Sequence, residues 1–206
     1  MIRFKNYSKQ YNNDLIIQAN MELDGKFYWL KGENGSGKTT LIKSVAGLIP
    51  FDGGVEVEDV DINKDRTGYR MIVNYAEAEP VFPTFLTGTD LIKFYSETKK
   101  ADKQQVDALI ASLGIAGFMG NKTGTYSSGM LKKLSLVLGF MGKPKLVLLD
   151  EPLITLDHAS VINLVNLIQD HVNNGISFII TSHQEVLLDR HKAARLSIAD
   201  HTLIVG

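Results

Sequence analysis

Residues 32–40 combine three glycines, a lysine and two threonines at the spacing G-x-x-x-x-G-K-[ST]. Glycines allow the tight turns that direct successive backbone N–H groups toward phosphate oxygens. At this spacing Lys38 is expected to reach the β- and γ-phosphates of a nucleotide and to stabilise the transferring oxygens, while the Thr39 hydroxyl binds Mg²⁺. The segment, called the phosphate loop below, therefore predicts a site for a nucleoside triphosphate.

The residues on either side supply the strand and the helix that such a loop needs. Residues 26–30, in which Lys26 is followed by four large apolar or aromatic residues, predict a buried strand, and residues 39–46 predict a helix. The N-terminus of that helix would face the phosphates, where backbone N–H groups and the helix dipole favour an anion. The alternative is a glycine-rich turn that matches by chance, and the flanking strand and helix argue against it.

Two adjacent carboxylates, Asp150 and Glu151, follow the apolar residues 146–149. Open α/β sheets bind their ligands at the carboxyl ends of strands. Asp150 is therefore expected to hold Mg²⁺ through its water shell, and Glu151 to polarise the attacking water. A strand that merely ends in a solvated Asp–Glu turn is the alternative.

One histidine, His183, follows a predicted buried strand, Ser177–Thr181. An imidazole beside the Asp150 strand end could hydrogen-bond the γ-phosphate and orient the water, so His183 is a candidate catalytic residue. The remaining histidines are expected to be structural: His158, His171, His191 and His201.

The composition limits the function classes. The 206 residues suffice for one large domain or for a domain with a subdomain. With 22 Lys+Arg against 23 Asp+Glu, there is no basic field to attract nucleic acid or an anionic membrane. The absence of cysteine excludes disulfides and thiolate metal sites, and fits the cytosol. The apolar runs are too short to cross a bilayer, so work at a membrane would require another chain.

The order of patterns predicts an α/β fold, a P-loop NTPase with a mostly parallel sheet flanked by helices, an N-terminal antiparallel β part and an inserted helical subdomain. We expect a single domain over 1–206, in which 1–78 and 143–206 form the core with the β part and 79–142 form the helical subdomain. Further predictions are short strands around a turn at 12–14, a turn at 52–54, strands at 55–60 and 71–75, and helices over 87–142 with Leu91, Ile92, Phe94 and Tyr95 on one face.

A further motif, Tyr126-Ser127-Ser128-Gly129-Met130, precedes an apolar helix. Small polar residues before such a helix are an N-cap pattern, and alone they predict only a capped helix. Taken in order, however, the phosphate loop, this motif, Leu149-Asp150-Glu151-Pro152, Leu156-Asp157 and His183 resemble the ATP-binding cassette (ABC) ATPases, over essentially the whole chain.

The resemblance implies roles for several residues. Ser127, Ser128 and Gly129 would contact ATP held by an opposite subunit, and Asp157 would lie in the loop that communicates between the two sites. Tyr11 would stack on adenine, and a surface tyrosine is the alternative. The implied cis nucleotide-binding set is Tyr11, Asn34, Gly35, Ser36, Gly37, Lys38, Thr39 and Thr40.

The chain departs from the family at a metal-contacting glutamine, which also reports nucleotide state to the membrane partner. Ala78 stands near that position, between Glu77 and Glu79. Either carboxylate could replace the amide as a metal ligand, and a solvated acidic loop is the alternative. The 126–130 motif also departs from the family, with Tyr126, Ser128 and Met130 for leucine, glycine and glutamine.

The function implied is that of an ATP-hydrolysing subunit of an ABC transporter that uses ATP and Mg²⁺. It would close with a second ATPase subunit, identical or different, and drive an integral membrane subunit, with export favoured over import. The chain would lie on the cytoplasmic face of the membrane through that partner, and Phe82 or Phe85 would line a groove for the partner's short helix. The alternatives are a soluble ABC ATPase acting on nucleic acid or ribosomes, and a nucleotide-binding regulator with little hydrolysis.

Overall fold

The computed structural model describes residues 1–182 and 193–206. The strands of this part are β1 (Ile2–Tyr11), β2 (Asp14–Leu23), β3 (Phe27–Lys31), β4 (Asp52–Val57), β5 (Val60–Asp61), β6 (Val73–Ala76), β7 (Leu146–Asp150), β8 (Ser177–Thr181), β9 (Ala194–Ala199) and β10 (Thr202–Val205). Its α-helices are α1 (Lys38–Val45), α2 (Arg66–Ile72), α3 (Gly88–Lys99), α4 (Lys103–Leu113), α5 (Ser128–Gly139) and α6 (His158–Asn173).

The strands form one sheet in the order β5-β4-β1-β2-β10-β9-β3-β8-β7-β6. Pairing is parallel from β9 through β3, β8 and β7 to β6, and antiparallel among β1, β2, β4 and β5. This arrangement confirms the predicted fold class, including its antiparallel N-terminal part. Because β3, β8, β7 and β6 are parallel neighbours, their carboxyl ends meet at one edge of the sheet.

The central strands are covered on both faces, as parallel strands usually are. Every residue of β7 and of β8 is buried. Alternate side chains enter two separate cores, with Leu146 and Leu148 in one and Val147 and Leu149 in the other. The ends of these strands are therefore held rigidly.

Helices α3, α4 and α5 lie between β6 and β7, as the helical pattern over 87–142 predicted. Each begins at a polar cap, since Thr87, Asp102 and Ser127 accept hydrogen bonds from backbone N–H groups of the first turn. The boundaries at 79 and 142 of a separate helical subdomain stay a prediction.

Three element boundaries differ from the sequence predictions. Asp52 and Gly54 lie in β4, because Asp52 pairs with Ser8 and Gly54 with Lys5 on either side of a bulge in β1. The turn comes at residues 58–59, both with positive φ, and it divides the predicted strand 55–60.

Residues 71 and 72 belong to the last turn of α2 rather than to a strand. The side chain of Asp65 accepts a hydrogen bond from the Gly68 N–H and caps α2, whose first residue, Arg66, lies five residues before the predicted strand. In α3, Leu91 and Ile92 are buried as expected, but Phe94 is 62% exposed.

Candidate functional site

The phosphate loop joins β3 to α1, as predicted. Gly37 precedes the first helical residue with φ of 98°, a conformation that glycine adopts without strain. The Lys38 ammonium donates hydrogen bonds to the carbonyls of Gly32 (2.7 Å) and Glu33 (2.8 Å). The positive charge is therefore already inside the loop that would surround the phosphates.

Asp150 is fixed by hydroxyl groups on both of its carboxylate oxygens. Thr39 Oγ1 donates to Oδ2 at 3.0 Å, and Thr181 Oγ1 donates to Oδ1 at 2.6 Å. The aspartate is only 2% exposed. The structure thus brings together the two residues predicted to bind Mg²⁺, one from the phosphate loop and one from the end of β7.

Thr181 is a residue to which the sequence analysis gave no role. Besides bonding Asp150, its hydroxyl accepts a hydrogen bond from the Glu151 N–H (2.9 Å), and its carbonyl accepts from the same N–H (3.2 Å). One side chain at the end of β8 therefore orients both predicted acidic residues. The strand pattern placed Thr181 at a sheet edge, but only the β7–β8 pairing shows which residues it contacts.

Glu151 has φ of 44°, in the left-handed region that non-glycine residues seldom occupy. Such conformations cost about 1–3 kcal/mol and persist where surrounding contacts impose them. Here the contacts are the two hydrogen bonds from the Glu151 N–H to Thr181. The turn places Glu151 in the wall of the same cavity as the phosphate loop.

That cavity, called the nucleotide cavity below, has a volume of about 340 Å³ and is lined by Tyr11, Ile16, Asn34, Gly35, Gly37, Lys38, Thr39, Thr40, Ala78, Asp150 and Glu151. Tyr11 borders it from the end of β1 with 46% of its surface exposed, as a ring available for stacking would be. Ser36, also in the predicted set, is not among the lining residues, and a Cβ at Gly32 would come within 2.7 Å of its hydroxyl.

The acidic residues beside Ala78 do not line the nucleotide cavity. Glu77 lines a different cavity, and Glu79 is exposed. Among residues 1–182 and 193–206 there is no cluster of three or more acidic or histidine side chains with metal-binding geometry. Of the four residues predicted as candidate metal ligands, Thr39 and Asp150 line the nucleotide cavity, and which of them bind a metal stays a prediction.

The residues predicted to contact a second subunit's nucleotide lie outside this cavity. Ser127 caps α5, its Oγ accepting a hydrogen bond from the Met130 N–H (3.3 Å), and both Ser127 and Ser128 are exposed. A Cβ at Gly129 would come within 2.8 Å of the Thr155 carbonyl, so glycine allows the helix start to approach that loop closely.

Asp157, predicted to lie between the two sites, caps α6 through the Ser160 N–H (2.8 Å) and pairs with Lys133 of α5 (2.7 Å). These hydrogen bonds, first that from Lys133 and then those from Ser160, hold the pKa of Asp157 well below its usual range. The loop before α6 is thus attached to the helix that follows the 126–130 motif.

A larger groove of about 630 Å³ lies on the other side of the loop that follows β6, and its wall includes Leu48, Arg70, Tyr75, Glu77, Phe82, Phe94, Tyr95 and Lys99. Phe82, one of the two predicted groove residues, lines it. Phe85, which is 71% exposed, does not. Burial raises the pKa of Tyr75 and lowers that of Lys99 to about 8.

Two further observations bear on the predictions. His183, the predicted water-orienting residue, lies outside the described residues.

None of the helices in 1–182 and 193–206 has the length and apolar character needed to cross a membrane.

Comparison with known proteins gives the family. Residues 18–154 match the family model described as ABC transporter. The cytochrome c biogenesis ATP-binding export protein CcmA of Histophilus somni is 30% identical over 190 residues, which cover 89% of this chain and 87% of that protein. An uncharacterized ABC transporter ATP-binding protein of Bacillus subtilis, YybJ, is 31% identical over 87% of this chain and 79% of its own length.

Solved structures share the fold. An ATP-binding subunit of an ABC transporter superposes with a TM-score of 0.91 at 20% identity, covering 100% of this chain and 89% of that one. A bacterial ABC transporter cassette solved as a dimer superposes with a TM-score of 0.85 at 16% identity, covering 98% of this chain and 96% of that one. With its phosphate loop, its Asp150–Glu151 edge and these relatives, the chain belongs to the ABC transporter family, as an ATP-binding and ATP-hydrolysing subunit.

Proposed function

We propose that two copies of this chain close around ATP and Mg²⁺ and that the resulting hydrolysis drives a membrane-spanning partner. The observation that carries this proposal is that Thr39, Asp150 and Glu151 line one cavity, with Asp150 held by hydrogen bonds from Thr39 and Thr181. This arrangement supports the proposal because it would bring phosphate binding, metal binding and a general base together at one sheet edge.

The metal would be held by the Thr39 hydroxyl and the Asp150 carboxylate. Oxygen ligands from one or two side chains, completed by nucleotide phosphates and water, are what Mg²⁺ usually takes in such sites. The ion would neutralise charge on the phosphates. The Lys38 ammonium would leave its two carbonyl partners for the phosphate oxygens, and Glu151 would accept a proton from the attacking water. His183 is proposed to orient that water.

A second copy of the chain would complete the site. The phosphate loop and Glu151 lie in one cavity, whereas Ser127 and Gly129 lie on an exposed helix start outside it. Since each chain carries both parts, a face-to-face pair would contain two equivalent complete sites. The N-terminus of α5 would then present N–H groups to the partner's γ-phosphate.

Export through a membrane partner is proposed from two supports. Among the relatives is one named as an export protein of cytochrome c biogenesis. In addition, the groove beside the loop that follows β6 exposes large apolar side chains, Leu48 at 56% and Phe94 at 62%. An amphipathic helix laid into such a groove is a common mode of recognition. The chain would then sit at the cytoplasmic face of the membrane.

Glu151→Gln tests the chemistry. The amide keeps the side-chain shape but cannot accept the proton, so kcat for Mg-ATP should fall about 100-fold or more. The ATP affinity, measured by the fluorescence of Trp29, the single tryptophan, should stay within about threefold of the wild-type affinity. Unchanged turnover would remove Glu151 as the base, and a wild-type chain that hydrolyses no Mg-ATP would overturn the proposal.

The groove is tested with Phe94→Glu and Phe85→Glu in the complete transporter. Phe94 lines the groove, so its variant should lower transport about 10-fold or more while the isolated chain keeps its basal ATPase rate. Phe85 is exposed but does not line the groove, and its effect should be smaller. Ile162→Glu, at a 43% exposed position on α6, is the matched control. Equal losses for all three variants would contradict this use of the groove.

A further inference from the structure

Lys132 of α5 is a lysine with no solvent exposure, five residues after Ser127. Its ammonium donates to three backbone carbonyls, those of Glu77 (2.6 Å), Ala78 (3.2 Å) and Asp150 (2.9 Å). An ammonium has three donors, and this geometry employs all of them. The side chain therefore has a defined function in the structure, beyond filling space.

Burying an ammonium group is expensive, and an apolar residue of similar volume would avoid that cost. No carboxylate oxygen of residues 1–182 or 193–206 forms a salt bridge with Lys132. Burial lowers the pKa of Lys132 to about 8, opposed by the more distant charges of Asp150, Glu151 and Glu77. The groups in direct contact that offset the cost of burying the ammonium are backbone carbonyls. These contacts therefore depend on where the backbone of residues 77, 78 and 150 lies, and not on the side chains there.

The three carbonyls belong to two functionally different places. Asp150 ends β7, beside the predicted metal. Glu77 and Ala78 follow β6, where Ala78 borders the nucleotide cavity and Glu77 lines the groove. The alanine side chain is a single methyl group, which cannot donate or accept a hydrogen bond. The connection of this loop to the site is therefore made through its backbone.

We propose that Lys132 is a positioning residue for ATP hydrolysis, which locks the Glu77–Ala78 backbone and the end of β7 to α5 so that the nucleotide cavity, the groove and the Ser127 helix start move as one unit. This inference rests on the proposed function. In this role Lys132 links the nucleotide cavity to the groove proposed for the membrane partner, a link that the Ala78 side chain cannot make. Lys132 itself is not among the residues that line the nucleotide cavity.

The principal test is Lys132→Met, which replaces the lysine by an unbranched apolar side chain one heavy atom shorter and removes its charge and donors. We expect kcat for Mg-ATP to fall about 10-fold or more, with KM and ATP affinity changed less than about threefold. Lys132→Gln retains an N–H donor group and should recover at least a third of wild-type kcat. Lys143→Met, at an exposed position, is the control.

A Lys132→Met enzyme with kcat within twofold of wild type would overturn the inference. So would equal losses in the Met and Gln variants with a parallel loss of thermal stability, because the lysine would then be only structural. Glu151→Gln is measured in parallel. If it abolishes turnover while Lys132→Met does not affect it, the proposed function stands and this inference alone fails.

A second measurement does not depend on the folding of a variant. In hydrogen–deuterium exchange of the wild-type chain, Mg-ATP should increase protection in residues 76–80 and in residues 128–134 by similar factors. ADP should produce a smaller change in both segments. Protection confined to the phosphate loop, or present in only one of the two segments, would overturn the proposal.

Discussion

The ends of β7 and β6 are neighbours in the sheet, yet they serve the nucleotide cavity in different ways. At the end of β7, side chains make the contacts, since Asp150 bonds Thr39 and Thr181. At the end of β6, the backbone makes them, through the Glu77 and Ala78 carbonyls that bond Lys132. The first end depends on residue types at the edge itself, whereas the second depends on a residue in a helix 54 positions away from Ala78.

This difference explains how the chain can lack the family's glutamine near position 78, after β6, while it keeps Asp150 at the end of β7. A replacement of Asp150 would directly remove the carboxylate that is proposed to bind Mg²⁺. At position 78 the described contact is made by a carbonyl, which every residue supplies. The β6 end thus tolerates alanine as long as Lys132 holds the loop.

Among the variants that test this contrast, we expect the largest effect from Lys38→Ala. Lys38 lies in the phosphate loop, where side chains make the contacts. Loss of the ammonium removes charge-assisted hydrogen bonds to phosphate, so ATP affinity should fall about 100-fold, or about 3 kcal/mol. Titration of Trp29 fluorescence with ATP measures it. Lys43→Ala on the same helix is the control, and equal affinities of the Lys38 and Lys43 variants would contradict the role of Lys38.

Thr181→Val should have the next largest effect, because it removes the hydroxyl that bonds Asp150 and the Glu151 N–H while keeping the side-chain shape. We expect kcat to fall about 10-fold, and the free energy of unfolding to fall by about 1–3 kcal/mol through the unpaired buried groups. Steady-state ATPase assays and urea denaturation measure the two effects. Thr181→Ser should restore most of the activity, and no difference between Val and Ser would refute the role of the hydroxyl.

The smallest effect is expected at the β6 end itself. Ala78→Ser changes the side chain but leaves the carbonyl that Lys132 contacts, so kcat and KM should stay within about twofold of wild type in ATPase assays. A 10-fold change would show that the side chain at 78 reaches the site, and it would end the distinction between the two strand ends.

Much of this site follows from the sequence because its signals are local. The phosphate loop, the Asp150–Glu151 pair and the Ser127 cap each lie within a few residues of the strand or helix that positions them. The roles of Thr181 and Lys132 do not follow, since they arise from contacts between elements that are distant in the sequence. Lys132 also stands beside Lys133 in a helix, a pattern that resembles a solvated face until the packing of α5 on β6 is known.

The same reasoning explains the errors in the fold. The Asp52-Gly53-Gly54 segment has turn-forming residues, but Asp52 and Gly54 pair with β1, so the segment belongs to β4. The apolar residues Met71 and Ile72 suit a strand, but the cap at Asp65 extends α2 through them. In both cases a contact elsewhere outweighs the local preference.

The claim that each chain holds only half of a complete site is tested most directly by ATP-dependent self-association. Size-exclusion chromatography with light scattering of Glu151→Gln should show a dimer with Mg-ATP and a monomer with Mg-ADP. Adding Ser127→Arg, at the exposed helix start, should keep the chain monomeric with Mg-ATP while Trp29 fluorescence still reports ATP binding. A dimer that persists with Ser127→Arg, or a Glu151→Gln chain that loses turnover but stays monomeric, would contradict the account.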